Sequence, residues 1–301
     1  MKILAFLLLC TSITTHLCAR DAFTILDNRM IQANSLVGVG LDPDLTKMPY
    51  EIVNSDHTPE EKVLSFLKEV ITITAPHSCC FKLQKAFYDQ FNLGHELLKQ
   101  VVLFIHENHP GIPAYVDCKI GDTDNTMKAY MALLFDDIKA DAVVINPYMG
   151  DDVLEPFITD PKKTGIILIQ TSNPNAKVVQ EIPLANGKKL WEEMLDLALA
   201  RWNKNNNLIF VLSSNSDAYD YSSIRSKIPQ NSPILLAGIG LQGGNPQVLR
   251  QLLNDEKRGV FVNSSRGILY PYAQNDSNWR SAILSAVIEL KNVFNDIREQ
   301  Q

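Results

Sequence analysis

From Val37 onward, short runs of apolar residues alternate with longer stretches in which apolar residues recur every three to four positions. Parallel strands covered by helices produce this alternation, because each strand is buried on both faces and each helix on one. The apolar runs predict eight strands, at residues 37–41, 78–82, 113–118, 142–146, 166–170, 208–212, 234–238 and 259–263. Ala142-Val143-Val144-Ile145 and Ile166-Ile167-Leu168-Ile169 are continuous rather than alternating, as burial on both faces requires. Eight such units predict an α/β protein whose residues 21–301 form a single-domain (β/α)8 TIM barrel.

The helices carry their own signals. Thr58 suits an N-cap, Pro59 the first helical position, and Glu61 completes a capping box ahead of Val63, Leu64, Leu67, Val70 and Ile71. Trp279, Ile283, Val287, Leu290, Phe294 and Ile297 recur at helical spacing and predict a last helix that covers the barrel. The longest irregular stretch, residues 171–189, follows the fifth strand and so falls at the catalytic face of a barrel. His106-Glu107-Asn108-His109 lacks the spacing of a zinc-binding His-Glu-x-x-His helix and runs into Pro110-Gly111, which predicts a solvated helix end.

The chemistry concentrates in Asp117-Cys118-Lys119-Ile120-Gly121-Asp122. Asp117 and Lys119 stand two apart at a strand end, so their side chains share one face, while Cys118 points away. Each of the two charges favours the ionised form of the other. The bland alternative is a strand-end salt bridge. Lys82, at the end of the second predicted strand, changes the balance, because neighbouring strands of a barrel bring their C-terminal ends together. Lys82, Asp117, Lys119 and Asp122 are therefore the candidate catalytic centre. Gly238-Ile239-Gly240-Leu241-Gln242-Gly243-Gly244 after the seventh strand and Asn263-Ser264-Ser265-Arg266-Gly267 after the eighth fit the usual phosphate position of such barrels. Glycines allow close backbone approach there, and Arg266 can contact phosphate in bidentate fashion.

These residues resemble the orotidine 5'-phosphate decarboxylase family, in particular its bacterial-type second group. The family pattern Asp-x-Lys-x-x-Asp-x-x-Asn-Thr is matched in full by Asp117, Lys119, Asp122, Asn125 and Thr126. Gly40-Leu41-Asp42-Pro43-Asp44, Phe81-Lys82-Leu83-Gln84, Asn146-Pro147-Tyr148-Met149-Gly150 and Thr171-Ser172-Asn173-Pro174 add to it, in order, from about Phe23 to the last helix. The resemblance implies decarboxylation of orotidine 5'-phosphate to uridine monophosphate without metal or organic cofactor. It implies Lys119 as proton donor to C6 of the pyrimidine and Asp117 against the departing carboxylate. It further implies Lys82 and Asp42 at the ribose and in the charge network, Ser172 at the pyrimidine amide, and Gln242 and Arg266 at the phosphate. Asp122 and Thr126 would reach into a neighbouring subunit's site, which implies a homodimer with shared active sites.

The nearest alternative is a metal-dependent sugar-phosphate lyase of the same superfamily. Those relatives tend to carry an acidic ligand where Lys82 stands, and an ammonium cannot ligate magnesium as a carboxylate does. A nucleotide-phosphate binder without turnover is the alternative of another class, opposed by the stability that buried charges cost.

Composition narrows the partners. With 46% apolar and 21% charged residues the chain can bury a large core, and a net charge of −6 argues against a nucleic-acid-binding surface. Five cysteines do not form a disulfide framework in a chain of 301 residues and read as buried or incidental thiols. Residues 1–20 look like a short signal peptide, with an apolar run from Ile3 to Cys10, although Leu17 fits the cleavage region poorly. The family implies a cytoplasmic enzyme with no membrane partner, and this extension leaves export open. A eukaryotic secretory route is disfavoured, because Asn263-Ser264-Ser265 would then accept a glycan beside Arg266.

Overall fold

The computed structural model describes residues 22–215, 219–239 and 243–300. The signal-like residues 1–20, with Cys10 and Cys18, lie outside them, as does Gln242. Eight strands, β1 (Val37–Gly40), β2 (Cys80–Gln84), β3 (Ala114–Ile120), β4 (Ala142–Ile145), β5 (Thr164–Leu168), β6 (Leu208–Ser213), β7 (Ile234–Ala237) and β8 (Val260–Ser264), close in chain order into one barrel. Every neighbouring pair is parallel, including the closing pair of β1 with β8. The apolar runs read from the sequence are these strands, and Ala142, Val143, Val144, Ile145, Ile166 and Ile167 are buried on the packed sheet.

Thr58 caps the helix Pro59–Thr74 as its sequence predicts: its hydroxyl accepts from the Glu61 N–H at 3.3 Å, and Glu61 Oε2 accepts from the Thr58 N–H at 2.8 Å. Thr58→Ala leaves one donor of the first turn, the Glu61 N–H, without its partner. It is expected to destabilise the protein by about 1 kcal/mol in urea unfolding, without changing turnover. The last helix, Trp279–Glu299, buries Trp279, Ile283, Val287, Phe294 and Ile297 against the barrel, with Leu290 half-buried at the edge of the stripe.

Three expectations change. Lys82 does not end its strand: it is the third of five residues in β2, paired in register with Gly40 and Tyr115, because Leu83 and Gln84 continue the ladder beside β3. The helix ends at Asn108 with Glu107 and Asn108 exposed, as expected, but His106 itself is turned away from solvent. Its Nε2 lies 2.9 Å from Asp141 Oδ2, and the same oxygen accepts from the Ala114 N–H at 2.7 Å, so His106 braces its helix on the foot of β3. Residues 171–189 are only partly irregular, since Lys177–Gln180 form a helical turn.

The departure that matters most is in β3. Val116 opposes Val143 and Ile120 opposes Ile145, so β3 advances four residues while β4 advances two. This bulge holds Asp117, Cys118 and Lys119, and Lys119 adopts φ +44°, a left-handed backbone that side chains other than glycine seldom take. Bulges re-aim side chains beside active sites, and strain of this kind, about 1–3 kcal/mol, persists only where surrounding contacts enforce it.

Candidate active site

Lys82 rises from the middle of β2 inside the barrel, and its length carries the ammonium to Asp117 on β3, with Nζ 3.0 Å from Oδ2. Lys119, turned by the bulge, brings its own Nζ to 2.7 Å and 2.8 Å from the two Asp117 oxygens. One carboxylate is thus gripped by two ammonium groups. Lys82 and Asp117 are 7% and 6% exposed, whereas the Lys119 side chain is 45% exposed and faces the open mouth.

Burial acts on the Asp117 carboxyl first and would raise its pKa, but Lys82 and Lys119 together outweigh it and hold the group below the usual carboxylate value. Burial acts first on Lys82 as well, to lower it, and is outweighed by Asp117 and then Asp42, so the ammonium is held above its ordinary value. Both groups stay charged where solvent would not itself guarantee it. For stability the signs are opposite. A depressed carboxyl contributes above its unfolded value, about 3.9, and loses that contribution as pH falls through the folded value. A raised lysine contributes below about 10.4 and loses that contribution as pH rises through its folded value. Urea midpoints measured from about pH 5 down to about pH 3 should therefore fall more steeply for the wild type than for Asp117→Asn.

These residues open onto a cavity of 1060 Å³ lined also by Asp42, Ser172 and Arg266. Asp42 follows β1, and its Oδ1 accepts from the Gln84 N–H at 3.3 Å. The Ser172 carbonyl accepts from Asn215 Nδ2 at 2.6 Å, which ties the loop after β5 to the end of β6. Gly238, at φ +101° after β7, packs so closely on Asn215 and Ser172 that a Cβ there would overlap them. Gly40 is required in the same way, because a Cβ would overlap Ser265 in the loop after β8 that carries Arg266. Of the residues expected from the sequence, Lys82, Asp117, Lys119, Asp42, Ser172 and Arg266 share this cavity. Asp122 and Thr126 do not line it: Asp122 accepts from the Thr123 N–H at 2.8 Å, and Thr126 is exposed.

Sequence reasoning missed two supports. The Tyr270 hydroxyl accepts from the Asp44 N–H at 2.8 Å and donates to the Asp42 carbonyl at 3.1 Å, fixing the loop after β1, and Asn215 fixes Ser172 as described. Neither stands in a motif, since each acts on a loop distant in sequence. Among the described residues, no group of three or more His, Cys, Asp or Glu side chains converges as metal ligands.

The sequence profile described as the orotidine 5'-phosphate decarboxylase / HUMPS family matches residues 38–275, from β1 through the loop beyond β8. The chain belongs to this family. Within the orotidine 5'-phosphate decarboxylase / HUMPS family it is 35% identical over 263 residues to the orotidine 5'-phosphate decarboxylase of Dechloromonas aromatica, covering 87% of this chain and 94% of that one. The enzyme of the same name from Cupriavidus metallidurans is 33% identical over 266 residues, covering 88% and 94%. The solved structure of Leishmania donovani OMP decarboxylase superposes with a TM-score of 0.74 at 26% identity, covering 94% of this chain and all of that one. The matched span contains Lys82, Asp117, Lys119, Asp42, Ser172 and Arg266, so the cavity belongs to the part of the chain that the family shares.

Proposed function

We propose that the protein decarboxylates orotidine 5'-phosphate to uridine monophosphate in pyrimidine biosynthesis, without a cofactor, in the cavity at the C-terminal mouth of the barrel. The observation that carries this reading is the grip of Lys82 and Lys119 on the Asp117 carboxylate inside a chain whose relatives bear that enzyme's name.

In this reading Arg266 and Gln242 hold the substrate phosphate, Asp42 and Lys82 the ribose, and Ser172 the pyrimidine amide. The substrate carboxylate then lies against Asp117, an anion already fixed and charged. Breaking the bond from C6 to the carboxylate releases carbon dioxide and leaves the electron pair on C6. The Lys119 ammonium stabilises that pair by short-range attraction, gives it a proton, and is reprotonated by water. Binding energy from the phosphate, remote from the broken bond, holds the carboxylate towards Asp117.

Two features support a homodimer with shared sites. Asp122 and Thr126, part of the matched Asp-x-Lys-x-x-Asp-x-x-Asn-Thr pattern, stand outside the cavity of their own chain. Beside them, where Asn146 N–H donates to the Ile120 carbonyl at 2.7 Å, the next loop exposes Tyr148 at 81% and Met149 at 47%. An apolar surface of that kind marks an association face, and a twofold axis there would bring each Asp122 to the other chain's cavity. Mixing the inactive Lys119→Ala and Asp122→Ala variants should then restore turnover, because one site of each mixed dimer receives both native residues. No recovery after verified subunit exchange would reject shared sites.

Among the described residues no helix is long and apolar enough to cross a membrane. The test of the activity is incubation with orotidine 5'-phosphate in the presence of a chelator, following uridine monophosphate. Turnover unaffected by chelation is expected. Turnover that requires added magnesium points instead to the metal-dependent lyase, and ligand-dependent thermal stabilisation without product points to a binder.

A further inference from the structure

Gln84, the last residue of β2, stands behind the catalytic lysine and does not line the cavity. Its carboxamide lies between two groups of β3. Oriented to satisfy both, the amide nitrogen donates to the Asp117 backbone carbonyl, and the amide oxygen accepts from Lys119 Nζ at 3.1 Å. The opposite orientation would set oxygen against oxygen and nitrogen against nitrogen, so the carbonyl decides which end of the amide the ammonium meets. The Asp117 carbonyl also accepts from the Lys85 N–H at 3.0 Å, and the Gln84 N–H itself donates to Asp42 Oδ1. One residue therefore connects the β1 loop, the backbone of the β3 bulge and the ammonium of Lys119.

An ammonium has three donors. Asp117 takes Lys119 through both carboxylate oxygens, which sets the distance but leaves the head free to swing about that carboxylate. A second acceptor from a different strand removes the swing. Lys119 needs this more than an ordinary strand lysine, because its side chain is half-exposed and its backbone is in the left-handed region. Gln84 is neutral, so it supplies the acceptor without adding a charge that would make the proton harder to release. A glutamate has the same length and would accept the same hydrogen bond from Lys119, but it loses the donor to the Asp117 carbonyl and its charge would hold the proton more tightly.

We propose that Gln84 is a positioning residue for Lys119, which aims the ammonium at the reacting carbon and sets its readiness to give up a proton. This rests on the decarboxylase reading above and adds to it a residue outside the cavity wall. The test compares wild type, Gln84→Leu and Gln84→Glu on orotidine 5'-phosphate, measuring kcat and KM against pH, with thermal melting of each. Gln84→Leu is expected to lower kcat about 10- to 100-fold, with KM within about twofold, because a misaimed group loses transition-state rather than ground-state interactions. The alkaline limb of kcat, where the proton donor is lost, should move to lower pH in Gln84→Leu and to higher pH in Gln84→Glu. A packing role would move neither limb.

If Gln84→Leu fails to fold, the limb of Gln84→Glu decides alone. Unchanged kcat, or limbs that stay in place in the folded variants, overturns the proposal while leaving the decarboxylase reading intact. A wild type inactive on orotidine 5'-phosphate overturns both.

Discussion

Lys119→Ala is expected to yield a folded protein with its decarboxylation rate reduced by about 10⁴-fold or more, since in the proposed mechanism one ammonium performs two tasks. As proton donor its removal forfeits about 10²–10⁴, and as the fixed positive charge beside the developing carbanion a further share that overlaps the first. The fold should hardly notice. The Lys119 side chain is 45% exposed, so its deletion opens no cavity, and Asp117 keeps Lys82 at 3.0 Å. Single-turnover measurements with orotidine 5'-phosphate, paired with a urea titration, separate the two effects. A variant that retained kcat within about tenfold of wild type would remove Lys119 from the role of proton donor.

That prediction could be made from the sequence because Asp117, Lys119 and the runs of apolar residues are local signals. Strands such as β4 and β5 are buried on both faces, and this burial writes itself as uninterrupted Val, Ile and Leu. Strand ends are harder to see where function replaces packing. Lys82 and Gln84 lie within β2, and Asp117 and Lys119 within β3, yet charge and amide groups at those positions look like the exit from a strand. The bulge at Lys119 had no visible signature, because Cys118-Lys119 is not a turn sequence and the positive φ accompanies a register shift that exists only once β3 pairs with β4. The same blindness applies to contacts between distant residues. His106 finds Asp141 thirty-five positions away, Tyr270 holds Asp42 and Asp44 across the closing strands, and Gln84 reaches Lys119 only because β2 and β3 lie side by side. Chemistry carried by one strand was thus legible, whereas chemistry assembled between strands required the barrel.

The Asp117 carboxylate sits where that assembly is tightest, and its loss should be felt by the fold as well as by catalysis. Asp117→Ala leaves Lys82, 7% exposed, without its hydrogen-bonded partner and facing a second ammonium on Lys119. Stranding a buried charge typically destabilises by about 3–5 kcal/mol, so a variant both inactive and clearly less stable is expected. Lys82→Met is a milder insult to the fold. Asp117 then still holds Lys119 through both oxygens, and the apolar stem of Met fills much of the space, so the stability loss should be well below that of Asp117→Ala although activity is lost. Combining the two removes the stranded ammonium together with its partner, and the double variant should recover part of the stability that Asp117→Ala loses, a coupling that a double-mutant cycle in urea measures directly. Additive losses would mean that Lys82 and Asp117 do not depend on each other for burial. The charge network would then be a feature of the mouth alone rather than of the barrel's interior.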